Sequence, residues 1–390
     1  MVSILVLPIG LSMSVPMSGV GIVATTPGDT ESHSGHIATR MMVSIFLAFH
    51  EEVHVFTRET AVLKFDDPNV HVHSYNKPLS GSTTITRLVG QVLYQAKFCR
   101  DLFVYRENLD LVFISSSGTL FIVIAARLCA IHSIYRVGGV LYRQYSGSSL
   151  TQLVWIDLLK IVEKTIYYIS DSIVVITSAQ ASELALGKAR YKTYVWNHYF
   201  FDLDTFGVNR TYEERETVVG HIGLSDVKGT DKFITAIANI DEDVVDRVLI
   251  IGEGDDDDSY RSAVPECGFP VEFTGRVDRD DMPELYNSMK LFVLPSRSEG
   301  VPKVVLESMA CGTPAVANNV GGVDDYINDK KNGFLMDGND PDKIASTINS
   351  SLRNPELDSV SENARESVVE NFSEEKVRQS YRQLLSELSN

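Results

Sequence analysis

Two glutamates in the second half of the chain have a type and spacing that could hold a sugar-bearing ligand. Glu299 follows a predicted strand end, and Glu307 lies eight residues later, just inside a predicted helix. A carboxylate at Glu307 can accept hydrogen bonds from two adjacent hydroxyls, such as those of a ribose. Glu299, in the loop, can do the same for another sugar. The pair therefore predicts a site for a ligand rich in hydroxyl groups.

The residues between and after the two glutamates are suited to an anion. A tight loop is predicted over Glu299-Gly300-Val301-Pro302, and Pro302 fits the first turn of a helix, where a missing N–H costs nothing. Such a loop presents free backbone N–H groups and the positive end of a helix. Further on, Gly321-Gly322 forms a turn that lets the backbone approach a bulky ligand.

These residues need elements to position them, and the chain reads as strand, loop and helix in repetition. Runs rich in β-branched residues, alternating with helical segments, predict parallel sheets covered on both faces. In the first half the predicted strands are Ile4–Leu7, Val53–Thr57, Leu111–Ile114, Ile134–Val137 and Ile173–Ile176, with a loop over Pro8–Ser34 and a helix over His36–Phe49. In the second half they are Thr217–Ile222, Arg247–Ile251, Val271–Thr274, Leu291–Leu294 and Pro314–Ala317.

Helices are predicted in the second half at Lys228–Ile240, Asp281–Ser288, Pro302–Ala310, Lys343–Leu352 and Glu374–Leu388. The fold class is therefore α/β, with two Rossmann-like, doubly wound domains facing a cleft. We expect the domains to span residues 1–203 and 204–372, with a C-terminal helix, 373–390, packing back on the first domain. Ligands of such sheets bind at the carboxyl ends of the strands.

Charge and composition exclude several classes of protein. The formal net charge is −17, with 16 basic and 14 acidic residues in 1–200 but 19 basic and 38 acidic residues in 201–390. The acidic second half argues against a nucleic-acid partner. Four separated cysteines predict reduced thiols in a cytoplasmic protein, and the N-terminus lacks the features of a signal peptide. Val112–Ile131 has the length of a membrane span, but its Ser/Gly turn predicts strand, turn and helix.

The segment around the two glutamates resembles glycosyltransferase family 4, which has the two-domain GT-B fold. The family pattern is matched by EGVPKVVLESMACGTPAVA and by GGVDDYINDKKNG, and VVGHIGLSDVKGTDKFITAI is similar to the family's first donor-domain unit. The resemblance implies a retaining transfer of a hexose-type sugar from a UDP- or GDP-linked donor to a glycan or lipid-linked acceptor. It also implies an active site without a metal and without a cofactor.

The resemblance carries roles to individual positions. Lys228 would stabilise the departing diphosphate and Glu299 would hold the donor sugar, which makes these two the candidate catalytic residues. Glu307 would hold the ribose. The donor pocket would also include Gly300, Val301, Pro302, Lys303, Gly321 and Gly322.

Two departures from the family pattern affect the catalytic details. His221 stands where the family usually has an arginine, and it either donates one hydrogen bond to the diphosphate or is a bystander. The usual first-domain histidine is missing, so Arg136 or Arg143 either supplies positive charge near the transferred sugar or is an ordinary surface arginine.

Other charged residues leave alternatives open. Arg276 either lines the nucleobase pocket or lies at the surface, and Arg297 is similarly placed near the donor loop. Asp255–Asp258 favours an acidic helix cap over a metal site. The nine histidines, His71 and His73 among them, show no metal-ligand spacing, so no metal site is predicted.

The segment Thr84–Arg106 is the most suggestive part of the acceptor side. Its apolar residues follow helical spacing, and basic residues accompany aromatic ones. This pattern fits either a peripheral contact with an anionic membrane, at the inner face of the cell membrane, or a core helix with a solvated face. The alternatives to a transferase are a non-catalytic nucleotide-sugar-binding subunit and a GT-B epimerase or phosphorylase.

Overall fold

The computed structural model describes residues 17–24, 34–57, 63–75, 84–116, 118–138, 150–184, 186–254 and 257–388. They divide into two compact units. Unit 1 contains the described residues up to 176, residues 181–199 and residues from 377 onward; unit 2 contains residues 177–180 and 200–376. Residues 377–388 therefore belong to the same unit as residues 17–24.

Unit 1 is built on a sheet of seven parallel strands. They are β1 (Met17–Ala24), β2 (His50–Thr57), β3 (Val70–Ser74), β4 (Leu111–Ser115), β5 (His132–Arg136), β6 (Ser172–Val175) and β7 (Thr193–Val195). Their order across the sheet is β3-β2-β1-β4-β5-β6-β7. The helices of this unit are α1 (Ser34–Leu47), α2 (Thr84–Val104), α3 (Leu120–Leu128) and α4 (Leu150–Ile169); α5 (Ser178–Glu183) is divided between the units.

Unit 2 repeats the plan with six parallel strands. They are β8 (Val218–Ile222), β9 (Arg247–Ile251), β10 (Val271–Gly275), β11 (Leu291–Leu294), β12 (Ala315–Asn318) and β13 (Phe334–Met336), in the order β10-β9-β8-β11-β12-β13. The helices are α6 (Thr230–Ala236), α7 (Asp257–Ser262), α8 (Met282–Ser288), α9 (Lys303–Ala310), α10 (Pro341–Leu352) and α11 (Leu357–Phe372), and α12 (Glu374–Leu388) closes the chain. Strands β11 and β12 are buried along their whole length, which explains why β11 is entirely apolar and why β12 is apolar except for Asn318 at its end.

The first strand is the main correction to the predicted elements. Ile4–Leu7 lies outside the described residues, and β1 instead occupies Met17–Ala24, inside the segment predicted as a loop. The prediction was wrong because this strand contains serine and two glycines. Gly19 is needed there for space, since a Cβ atom would lie 2.3 Å from the Asn108 carbonyl oxygen.

The helix predicted over Lys228–Ile240 is broken into three pieces. A 3₁₀ turn covers Asp226–Lys228, α6 follows, and a second 3₁₀ turn covers Ile237–Asn239. Gly229 interrupts the first turn with a left-handed backbone, φ 75°. The short strands β3, β7 and β13 and the helix α11 were not predicted, because their sequences are polar or too brief to show a period.

The prediction of a strand, a turn and a helix over the apolar stretch Val112–Ile131 is confirmed. This stretch supplies most of β4 and then α3, which has nine residues. Among the residues that the structure describes, none of the helices combines the length and apolarity needed to cross a bilayer.

Candidate functional site

The predicted donor residues of unit 2 lie beyond the carboxyl ends of adjacent strands. Lys228 follows β8, Glu299 follows β11 and Gly321-Gly322 follows β12, while Glu307 lies on α9. In the sheet order, β8, β11 and β12 are neighbours. The parallel arrangement therefore brings residues that are up to 94 positions apart in sequence to one edge of the sheet.

Lys228 and Glu299 form a direct ion pair. The Lys228 Nζ donates to Glu299 Oε1 at 2.9 Å, and the Ser296 hydroxyl donates to the same oxygen at 2.6 Å. The Glu299 side chain is 8% exposed and the Lys228 side chain 33% exposed. A buried carboxylate thus holds an ammonium group whose remaining N–H donors are open to an anionic ligand.

The turn at Gly321 lies against the Glu299 backbone. Gly321 has a φ of 63°, and a Cβ atom there would lie 1.8 Å from the Glu299 carbonyl oxygen. Only glycine permits this contact, so the Gly321-Gly322 turn fixes the position of the loop that carries Glu299. Gly300, in the same loop, has open space around it, as a close-approach surface for a ligand requires.

Glu307 is buried between an arginine and a tyrosine. Arg279 Nη1 lies 2.8 Å from Glu307 Oε1, and the Tyr286 hydroxyl donates to Oε2 at 3.1 Å. Burial raises the pKa of Glu307, while the Arg279 charge and the Tyr286 hydrogen bond oppose that shift. Each carboxylate oxygen has two lone pairs, so both can still accept from a ligand's hydroxyls.

His221 is buried in the protein, where both of its ring nitrogens have hydrogen-bond partners. Its ring is fully buried, with Nδ1 3.0 Å from the Val293 carbonyl oxygen and Nε2 3.0 Å from the Thr230 hydroxyl. Burial lowers the pKa of His221 to about 4, so the ring is neutral at pH 7. Both nitrogens are occupied, which favours a role in holding β8 against β11 over the predicted contact with a diphosphate.

The two other candidate cations of unit 2, Arg276 and Arg297, each pair with a carboxylate. Arg276 lies 3.6 Å from Glu253 at the surface, with 68% of its side chain exposed. Arg297 is paired with Asp231 at 2.7 Å, at the start of α6.

Pro302 immediately precedes α9, and Lys303 is the first residue of that helix, in agreement with the loop-to-helix geometry predicted for Gly300–Lys303.

In unit 1, Arg136 ends β5 and is buried. Its Nη1 donates to the Ser115 hydroxyl at 2.8 Å, and burial lowers the pKa of the guanidinium. It is therefore not an ordinary surface arginine. Arg143, Asp255 and Asp256 lie outside the described residues.

The comparison with protein families agrees with this site. Residues 205–367 match the family model of glycosyl transferases, group 1. The match contains Lys228, both glutamates and the Gly321-Gly322 turn. This segment is a group 1 glycosyl transferase domain. The resemblance to glycosyltransferase family 4 is thereby confirmed.

Curated proteins of several organisms match part of the chain. A GDP-mannose-dependent α-(1-6)-phosphatidylinositol monomannoside mannosyltransferase of Mycobacterium tuberculosis is 33% identical over 145 residues, which cover 35% of this chain and 38% of that protein. The N-acetyl-α-D-glucosaminyl L-malate synthase of Bacillus anthracis is 30% identical over 188 residues, 47% of this chain and 49% of that protein. The matches thus span half or less of these relatives.

Solved structures share the fold of both units. HepE of Anabaena, crystallised in complex with UDP, superposes with a TM-score of 0.73 at 19% identity and covers 95% of this chain and 100% of its own. The predicted GT-B fold class, with two parallel α/β sheets, is confirmed by this likeness and by the two sheet orders.

The sequence did not indicate three side chains that hold the two candidate glutamates in place. Arg279 and Tyr286 hold Glu307, and Ser296 holds Glu299. Ser296 lies two residues after the end of β11, which is a usable signal in a doubly wound sheet. Tyr286 approaches Glu307 through the packing of α8 beside α9, and Arg279 approaches it from the loop before α8. Their spacing in sequence shows no pattern.

Proposed function

We propose that this chain is a retaining glycosyltransferase that moves a hexose-type sugar from a nucleotide-sugar donor to a glycan or lipid-linked acceptor. The observation that supports it most is the Lys228–Glu299 ion pair, at 2.9 Å, within a group 1 glycosyl transferase domain. The pair places a positive charge and a hydroxyl-binding carboxylate at the edge where such sheets bind ligands.

The difficult part of this reaction is the negative charge that develops on the departing diphosphate. Preorganised donors that face this charge lower the barrier, and cationic side chains and helix N-termini are such donors. We assign this role to Lys228 and to the start of α9, with no metal ion. Glu299 fixes Lys228 and accepts from the donor sugar, and Glu307, oriented by Arg279, accepts from the ribose.

Two similar proteins suggest two alternatives for the nucleobase of the donor. HepE was crystallised with UDP, and the M. tuberculosis relative is named as GDP-mannose-dependent. We therefore propose a UDP- or GDP-linked donor. Calorimetric titration of the purified chain with each nucleotide distinguishes the two.

Nucleoside diphosphate release in the presence of EDTA tests the proposed activity. The chain is incubated with UDP- and GDP-linked hexoses and with glycan or lipid-linked acceptors. Release that persists in EDTA and depends on Lys228 supports the assignment, and Lys331→Ala, an exposed lysine of the same unit, serves as the matched control. Donor binding without release, across all acceptors, would favour a non-catalytic nucleotide-sugar-binding subunit.

We propose that three adjoining helices of unit 1, α2, α3 and α4, form a surface on the acceptor side. Helix α3 packs against both α2 and α4, and each presents large apolar side chains to solvent. The most exposed are Phe103 and Val104 on α2, Leu128 on α3, and Val154, Ile161 and Tyr168 on α4. Lys97, Arg100 and Arg127 are exposed beside them. Apolar side chains interspersed with cations fit an anionic lipid surface, so we propose a peripheral contact with the inner face of the cell membrane.

Vesicle sedimentation tests this contact. We expect the chain to sediment with phosphatidylcholine vesicles that contain phosphatidylglycerol, and less with phosphatidylcholine alone. Leu128→Ser combined with Tyr168→Ser should reduce binding, whereas Val369→Ser, at an exposed valine of unit 2, should not. Equal sedimentation of all variants, or no dependence on anionic lipid, would contradict it.

A further inference from the structure

A cluster of histidines lies at one edge of the sheet in unit 1. Strand β3 is the edge strand and pairs with β2, and the register places His54 beside His71 and Phe56 beside His73. Because side chains alternate along a strand, Glu52 and His54 share one face of β2, and His71 and His73 share the same face of β3. The fold therefore brings one carboxylate and three imidazoles together, although their sequence spacing indicated no metal site.

The nitrogen and carboxylate oxygen atoms of this cluster are about as far apart as the ligand atoms of one metal ion. His54 Nε2 lies 3.3 Å from Glu52 Oε2, and the ring centroids of His54 and His71 are 4.9 Å apart. One ligand atom from each of Glu52, His54 and His71 lies within 4.8 Å of the others. In a tetrahedral zinc site with bonds of about 2.0–2.1 Å, neighbouring ligand atoms are roughly 3.3 Å apart. The Glu52–His54 pair already has that separation.

The fourth side chain of the cluster suits a supporting role. His54 Nδ1 lies 2.9 Å from His73 Nε2. When Nε2 of a histidine binds a metal, its Nδ1–H commonly donates to an acceptor that fixes the ring. The nearly parallel His54 and His73 rings, 8° apart, are in turn packed against Tyr105. His54 is 3% exposed, while the Glu52 side chain is 38% exposed, which leaves the outer side of the cluster accessible to an ion.

We propose that Glu52, His54 and His71 bind one Zn²⁺ ion, with water as the fourth ligand and His73 orienting His54. Two imidazoles and a carboxylate are a donor set that Zn²⁺ prefers. The ion would link β2 to the edge strand β3. This site lies in unit 1, whereas the residues proposed for sugar transfer lie in unit 2. The proposed zinc site therefore shares no residue with the proposed donor site.

The test uses the full chain, freed of any affinity tag and stripped with EDTA, then dialysed and titrated with ZnCl₂ by calorimetry. We expect one ion per chain and a zinc-dependent rise in melting temperature, because an ion that binds the folded state stabilises it. Co²⁺ in place of Zn²⁺ should give the visible absorption of a tetrahedral nitrogen and oxygen site.

Matched variants decide whether these residues hold the ion. Glu52→Gln and His71→Asn should each weaken zinc binding by at least about tenfold, and His73→Asn by about 10- to 100-fold through loss of orientation. Glu51→Gln, the same change at the exposed neighbour on β2, should bind zinc as the wild type does. Melting curves without zinc show that each variant is folded. Wild-type affinity in both Glu52→Gln and His71→Asn, or no saturable binding of zinc by the wild type, would overturn the proposal.

Discussion

The donor cluster of unit 2 (Lys228, Glu299, Glu307 and Arg279) lies near the carboxyl ends of the strands, whereas the histidine cluster of unit 1 (Glu52, His54, His71 and His73) lies on the edge strand β3 and its neighbour β2. The two clusters are also built from different groups. In the donor cluster each buried carboxylate is paired with a cation, at 2.9 Å for Glu299 and 2.8 Å for Glu307. In the histidine cluster the single carboxylate meets imidazoles. The first arrangement suits an anion with hydroxyl groups, and the second suits a cation.

Removing the cation of the donor cluster should have the largest effect. Lys228→Ala is expected to lower turnover by roughly 10²–10³-fold, about 3–4 kcal/mol, which is typical when one preorganised donor to a developing charge is lost. Steady-state release of nucleoside diphosphate measures this. Zinc affinity at the histidine cluster should not change, and a fall in both properties would mean that the variant has disturbed the whole fold.

The buried His221 of unit 2 should make the stability of the chain depend on pH. Burial lowers the pKa of His221 to about 4, below the 6.5 of an exposed ring, so the unfolded chain binds the proton more readily. Its contribution to stability is complete above pH 6.5 and is lost as the pH falls towards 4, by up to about 3 kcal/mol. Urea unfolding at pH 7 and pH 4.5 should therefore show a smaller pH-dependent loss in His221→Phe than in the wild type. An identical loss in both proteins would show that His221 does not titrate in this way.

Neutralising Glu307 should have an intermediate effect on nucleotide binding. Glu307→Gln keeps the shape of the side chain but weakens the hydrogen bonds to a ribose and leaves Arg279 without its charged partner. We expect affinity for the nucleotide to fall by roughly 10- to 100-fold, since hydrogen bonds to charged groups contribute about 1.5–3 kcal/mol. Calorimetry with UDP and GDP measures it, and unchanged affinity would refute the ribose assignment.

The smallest effect is expected at Arg276. Its pair with Glu253 is exposed, so Arg276→Ala should change the free energy of unfolding by less than about 1 kcal/mol. If the arginine lines the nucleobase pocket, nucleotide affinity should still fall several-fold. Equal affinity in the variant and the wild type would leave Arg276 as a surface residue and place the base elsewhere.

Three members of the donor cluster, Lys228, Glu299 and Glu307, could be predicted from the sequence, whereas Arg279 could not. Glu299, Glu307, Gly321 and Gly322 follow a single strand–loop–helix pattern, and Lys228 follows a strand end of the same kind. His221 was less predictable, since burial and its contacts with Val293 and Thr230 depend on the packing of two strands.

The histidine cluster could not be predicted in the same way. Glu52 and His54 belong to one strand and His71 and His73 to another, and the second strand was not recognised from its polar sequence. Only the register between β2 and β3 brings them together. The first strand was missed for a related reason, because its two glycines resemble those of a loop, although Gly19 is needed for close packing beside Asn108.

A crystal structure of the chain with UDP or GDP would test the donor-site assignment most directly. The account predicts a diphosphate oxygen within about 3 Å of Lys228 Nζ, near the start of α9, and ribose hydroxyls hydrogen-bonded to Glu307. A nucleotide bound with its diphosphate and ribose away from Lys228 and Glu307 would contradict it.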